Sequence, residues 1–221
     1  MPKIKLDLLA PFENIPFFTI AGFRQWANDD SVGGQRSREL LSRWQRQGHI
    51  IQLKRGVYMA RRFYELHRGE EGFAPAVSAI LIPQSYLSLE YILQRLNILT
   101  EVTYPVTAVT LKNTRTFDNP LGVFVYRHIR PALYRGFEPG EYFGVRFYRA
   151  SPAKALFDYL YFRPLPRRAR LSRWDLVDDL RLNLDDFLPE SRKEFAGYVE
   201  ASASEKMTDV LSNLWRTVWR P

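Results

Sequence analysis

Arginine and glutamine at helical spacing can read base edges, and residues 35–58 (QRSRELLSRWQRQGHIIQLKRGVY) supply both. In the major groove Arg bonds guanine bidentately and Gln does the same with adenine. Phosphates accept from any cation and give affinity without sequence information. A recognition helix points its N-terminal residues at the bases, so Gln35, Arg36, Arg38 and Ser42 are the expected base readers. Arg43, Arg46, Lys54 and Arg55 are the expected phosphate anchors. Between residues 35 and 68, nine Lys/Arg (Arg36, Arg38, Arg43, Arg46, Lys54, Arg55, Arg61, Arg62, Arg68) face two acids (Glu39, Glu65), a local net of +7 beside +8 for the whole chain. A charged helix face is often only solvated. Here a basic helix, a basic hairpin and few acids coincide, which favours double-stranded DNA as partner.

Other chemistries have weaker support. With no cysteine there is no disulfide framework, thiolate zinc site or thiol nucleophile. His49, His67 and His128 are scattered and none sits in an HExxH setting. There is no Walker A loop, GxGxxG or GxSxG elbow. The expectation is therefore no catalytic residue, no metal and no cofactor. The rival is a metal-dependent nuclease or nucleotidyltransferase that uses Asp175, Asp178, Asp179, Asp185 and Asp186. In that reading Asp175 and Asp178-Asp179 share a helix face to hold metal ions. Lys154 and Asp158, four residues apart, read as a surface ion pair worth a few tenths of a kcal/mol. The Arg-rich loop 163–173 is a second candidate nucleic-acid patch, and a solvated loop is the safer reading.

These residues need elements to position them. A length of 221 residues, 46% hydrophobic and 14% aromatic, suits an ordered chain of two modest domains. No apolar run approaches the roughly 20 residues of a membrane span, and the N-terminus lacks a signal-peptide pattern. A cytoplasmic protein without membrane contact is expected.

Residues 17–27 space Ile20, Phe23 and Ala27 at helical intervals, and Gly33-Gly34 breaks the pattern. The next helix places Leu40, Leu41 and Trp44 on one face and ends at Gly48. Residues 50–53 and 56–59 form a hairpin with Lys54-Arg55 at its tip. This order defines an N-terminal winged helix-turn-helix over residues 1–68. A linker leads to a mixed α/β C-terminal domain, 73–221, with a small sheet and a helical tail, so the fold class is α+β. Within it Ala76 opens a helix running to residue 81, and Ser88 N-caps another, 88–96. Residues 106–111 and 123–128 form a hairpin, 144–149 a strand, and Ser151-Pro152 opens the helix 153–162. Trp215 and Trp219 share a helical stripe with Leu211, Leu214 and Val218.

The N-terminal helix, QGHIIQLKRGVYM, PQSYLSLEYILQRLNIL, the strands around TAVTL and PLGVFVYRHI, and ASPAKALFDYLYF occur in an order that resembles the AbiEi family. That family comprises the antitoxin and transcriptional-repressor components of bacterial type IV toxin-antitoxin and abortive-infection systems. The likeness covers roughly residues 17–162. It implies a winged helix that binds operator DNA upstream of the protein's own operon, and a C-terminal domain that counters a nucleotidyltransferase-like toxin. By the same likeness, the wing match falls on Leu53, Lys54, Arg55, Gly56, Val57 and Tyr58. Ser85, Tyr86, Ser88, Leu89, Ser151, Pro152, Lys154, Ala155 and Asp158 mark the second domain, with no mechanism attached. A stand-alone winged-helix regulator is the remaining alternative.

Overall fold

The computed structural model describes residues 8–100, 105–165 and 174–219, which form a mixed α+β structure with two sheets. Two compact units divide the chain. The first takes the residues up to Pro83 together with Phe117–Val123 and Glu141–Phe147, and the second takes Gln84–Thr116, Phe124–Gly140 and Tyr148 onward.

In the first unit the order is β1 (Phe18–Thr19), α1 (Ile20–Trp26), α2 (Gln35–Arg46), β2 (Ile50–Lys54), β3 (Val57–Ala60), α3 (Arg61–His67) and α4 (Phe73–Leu81). Thr19 caps α1 by accepting from the Gly22 amide at 3.0 Å. The buried stripe of α2 is Ser37, Leu41 and Trp44, spaced by four and three, with Leu40 at its margin. Gly48, one residue past the C-cap Gln47, takes φ +78°, a left-handed turn that glycine adopts without strain. The strands pair antiparallel in the order β1-β3-β2. An aromatic core fills the space beneath: Phe12 lies 4.6 Å from Phe18, and Phe23 meets Trp44 edge-on at 5.5 Å.

The expected linker after α3 is shorter than the sequence implies, because α4 begins at Phe73. All but one of its residues are buried, and the Phe73 ring stacks on Phe63 at 6.5 Å. That packing keeps α4 in the first unit.

In the second unit lie β4 (Ser85–Leu87), α5 (Glu90–Arg95), β5 (Val106–Thr110), β6 (Arg115–Asn119), β7 (Gly122–His128), β8 (Phe137–Tyr142), β9 (Val145–Ala150) and α6 (Pro152–Phe162). Then come α7 (Leu176–Asp179), α8 (Pro189–Ser202) and α9 (Glu205–Thr217). The ends of the β6–β7 and β8–β9 hairpins count with the first unit. The sheet order is β6-β7-β5-β4-β9-β8.

One expected pairing is different. β5 and β7 do not form a hairpin; they lie parallel, Val106 opposite Phe124 and Thr110 opposite His128. The hairpin partner of β7 is β6, which the sequence hides because Arg115–Asn119 is polar and mostly exposed, as suits an edge strand. Asn119 closes that turn by accepting from the Leu121 amide at 2.9 Å. The helical tail is present as expected. Within it Trp219 is buried against Phe187 and Phe195, while Trp215 remains 43% exposed. No helix among the described residues is long and apolar enough to cross a membrane.

Cations at helix C-termini recur. The carbonyl ends of a helix are electronegative, and Lys206 donates to the Leu160 carbonyl in the last turn of α6 at 3.1 Å and to that of Arg163 just past it at 3.2 Å. Arg130 donates to the Ala201 carbonyl at 2.9 Å and to that of Ser202 at the end of α8.

Candidate nucleic-acid interface and a buried polar cluster

The outer face of α2 carries six of the eight expected contact residues, Gln35, Arg36, Arg38, Ser42, Arg43 and Arg46, all exposed. Arg55 is exposed in the turn between β2 and β3. Among the described residues, the guanidinium groups of Arg36, Arg38, Arg43 and Arg55 make no hydrogen bond or ion pair. Gln35 is held within the helix, its amide donating to Glu39 Oε1 at 2.7 Å. Arg46 Nε reaches only the Ser42 carbonyl, at 3.5 Å.

Lys54 has a different setting. It belongs to β2 rather than to the hairpin tip, and its ammonium donates to the Ile80 and Leu81 carbonyls at 2.7 and 2.8 Å. It neutralises the carbonyl end of α4 and ties that helix to the hairpin. Asn119 adds a second tie, donating to the Leu53 carbonyl at 3.2 Å.

Asp29 is a contributor that the sequence reading passed over. One carboxylate oxygen accepts from the Ser31 amide and hydroxyl at 3.1 and 2.5 Å. The other accepts from the Ser37 amide and hydroxyl at 2.8 and 2.5 Å. The Ser37 amide lies in the first turn of α2, so Asp29 caps that helix from eight residues upstream. The hydroxyls of Ser31 and Ser37 hold its pKa well below the ordinary carboxylate range. The signal was present in Asn28-Asp29-Asp30-Ser31, a run rich in capping residues.

In the second unit, residues with no assigned role converge. Lys154 and Asp158 are not a surface pair: both side chains are fully buried, with Nζ 2.7 Å from Oδ1. The other oxygen of Asp158 accepts from the Tyr86 hydroxyl at 2.9 Å and the Ser88 hydroxyl at 2.8 Å. The Lys154 ammonium also lies near three ring centres, Phe157 at 4.9 Å, Tyr198 at 5.1 Å and Tyr86 at 5.6 Å. Burial pushes the Asp158 carboxyl up and the Lys154 ammonium down, and each partner's charge opposes the other's shift. Burial and the Asp158 charge push the Tyr86 hydroxyl far up, so it remains a donor. The clue in the sequence was α6 itself, PAKALFDYLYF, which is apolar around nearly its whole circumference and so buried on every side.

Ser88 is not a helix cap as expected, since its hydroxyl is used by Asp158. The α5 amide of Tyr91 is instead capped by Thr107 Oγ1 at 3.1 Å, and that hydroxyl donates to the Ser88 carbonyl at 2.7 Å. Between them Leu89 adopts φ +61° and ψ −143°, a conformation almost confined to glycine. Ser151 caps α6 as expected, accepting from the Lys154 amide at 3.1 Å. Its hydroxyl donates to Glu194, which also accepts from Tyr198 at 2.6 Å.

The carboxylates of 175–186 do not assemble. α7 is a single turn, and Asp175 lies outside it as its cap, accepting from the Val177 and Asp178 amides at 3.1 and 3.2 Å. Asp185 and Asp186 fall beyond the helix, so the expected shared face is too short to gather them. Among the described residues no three His, Cys, Asp or Glu side chains group to hold a metal ion. Residues 166–173 of the Arg-rich loop lie outside the described residues. No known family model and no curated protein matches this chain.

Proposed function

We propose that the protein is a DNA-binding transcriptional repressor whose first unit is a winged helix-turn-helix, with α2 in the major groove and the β2–β3 hairpin as the wing. One observation carries the reading: Arg36 and Arg38 occupy the first turn of α2, exposed, with guanidinium groups that have no partner among the described residues. Cations there oppose the positive end of the helix dipole. An anionic ligand removes that conflict. Gln35, Arg36, Arg38 and Ser42 read bases in this reading, Arg43, Arg46 and Arg55 bind phosphates, and Lys54 braces the wing through α4. The likeness to the AbiEi family extends the proposal to an antitoxin that represses its own operon and opposes a nucleotidyltransferase-like toxin through the second unit.

The test is a metal-free gel shift on duplex DNA from upstream of the protein's own operon, with random duplex as competitor. A sequence-preferring complex is expected. With about six phosphates neutralised, log K falls with log salt at a slope near −5. Equal affinity for random duplex overturns the reading. Rescue of growth when the cognate toxin is co-expressed tests the antitoxin half separately.

A further inference from the structure

We propose that a cleft in the second unit, of about 640 Å³ and formed by the start of α5, strands β5 and β7 and the end of α6, binds a nucleoside monophosphate. Its volume lies within the ordinary range for small-molecule sites. The guanidinium of Arg127 and the carboxylate of Glu90 have no partner among the described residues, although both line the cleft. Arg163, a third charged lining residue, donates one bond to the Tyr159 hydroxyl at 2.7 Å, with its guanidinium 5.2 Å from that ring. Two arginines on one cleft select an anion, and planar guanidinium groups match phosphate oxygens. A carboxylate beside them selects a ligand that also carries a hydrogen-bond donor, such as a ribose hydroxyl or an exocyclic amine. Phe162 and Val125 supply apolar wall against which a flat base packs.

The cleft is also built from behind. Its lining includes Leu89 and Thr107, the residue with the glycine-like backbone and the hydroxyl that holds the Ser88 carbonyl at 2.7 Å. Ser88 is anchored in turn on Asp158 at 2.8 Å. Backbone strain of this kind persists only where surrounding structure enforces it, commonly at ligand sites. The buried cluster therefore fixes the floor on which Glu90 stands. An aromatic α-amino acid shares the anion, donor and flat group but fills much less of the volume.

The experiment is titration calorimetry of the full chain with each of AMP, CMP, GMP and UMP, alongside inorganic phosphate, adenosine and phenylalanine. At least one nucleoside monophosphate binds with one-to-one stoichiometry and more tightly than phosphate, adenosine or phenylalanine. Arg127→Ala and Glu90→Gln weaken it by roughly ten- to hundredfold without lowering the melting temperature, since neither side chain has a partner to lose among the described residues. Arg36→Ala with Arg43→Ala leaves it unchanged. No saturable binding of any of the four nucleotides overturns the proposal, as does binding lost with Arg36 and Arg43 instead. Equal binding of phosphate alone reduces the cleft to a plain anion site, and tighter binding of phenylalanine reassigns it; either result overturns the nucleotide assignment. The proposal is independent of the DNA reading, and gel-shift failure leaves it standing.

Discussion

The Lys154 ammonium lies 2.7 Å from the Asp158 carboxylate with both side chains completely removed from solvent. The pair belongs to one helix, but the groups that surround it come from elsewhere in the second unit as well: two hydroxyl donors at and beside β4, and the Tyr86 and Tyr198 rings near the ammonium. Breaking such a pair leaves an uncompensated buried charge, whereas replacing both members does not. Lys154→Met alone is expected to cost about 3–5 kcal/mol in urea unfolding. Adding Asp158→Leu should recover a large part of it. Additive losses in the double variant would show that the two side chains do not act as a pair.

Lys54 and Arg43 separate bracing from the proposed DNA contact. Arg43→Ala is expected to reduce the salt slope of DNA binding by about 0.9 and to leave the melting temperature unchanged. Lys54→Met removes the donor to the Ile80 and Leu81 carbonyls. It should lower stability by about 1–3 kcal/mol while the slope stays near that of the unaltered protein. A reversed pattern would assign Lys54 to phosphate.

Acid should weaken the first unit through Asp29. Its folded-state pKa lies below the unfolded value, owing first to the hydroxyl donors Ser31 and Ser37. Between the two values the native chain binds fewer protons than the unfolded chain, so stability rises with pH there. The contribution is complete above the unfolded value near about 4 and is lost as pH falls toward the folded one. Asp29→Asn should flatten the acid limb of the melting-temperature profile and reduce α2 helicity. An unchanged acid limb would remove Asp29 from the cap.

Gly136 adopts φ +80°, and a Cβ there would stand 1.7 Å from the Tyr198 hydroxyl and 2.7 Å from its ring. Gly136→Ala is expected to cost at least about 2 kcal/mol from combined backbone strain and overlap. Tyr198→Phe should relieve only part of the loss, because the ring carbon remains too close. Full rescue would show that the hydroxyl alone sets the fit.

Legibility followed the range of the forces. α2 and the β2–β3 hairpin could be read because Leu41, Trp44 and Gly48 signal their own helix face and its end. Ser151 and Pro152 announced α6 equally well. The charges on α2 showed their outward face for the same local reason. β4 was illegible, since a wholly buried three-residue strand has no alternation to read. β8 was hidden by Pro139 and Gly140, residues that strands ordinarily avoid. Lys54, Ser88 and Asp158 were misjudged because the partners that settle their surroundings, the Ile80 and Leu81 carbonyls for Lys54, Asp158 for Ser88, and Tyr86 and Ser88 for Asp158, are 26 or more residues away in the chain. No local pattern records a carbonyl at Ile80 or a hydroxyl at Tyr86.

The spacing around Asp158 also sets a schedule for synthesis. Tyr86 and Ser88 precede the carboxylate they serve by 72 and 70 residues. At ribosomal rates of about 5–20 residues per second, β4 waits several seconds after emerging before its acceptor exists. Until then the Tyr86 and Ser88 hydroxyls lack the carboxylate that accepts from them. The second unit is therefore completed late, and a nascent chain that stalls before α6 offers the cell's proteases a sheet whose strands are all made but whose buried carboxylate is missing.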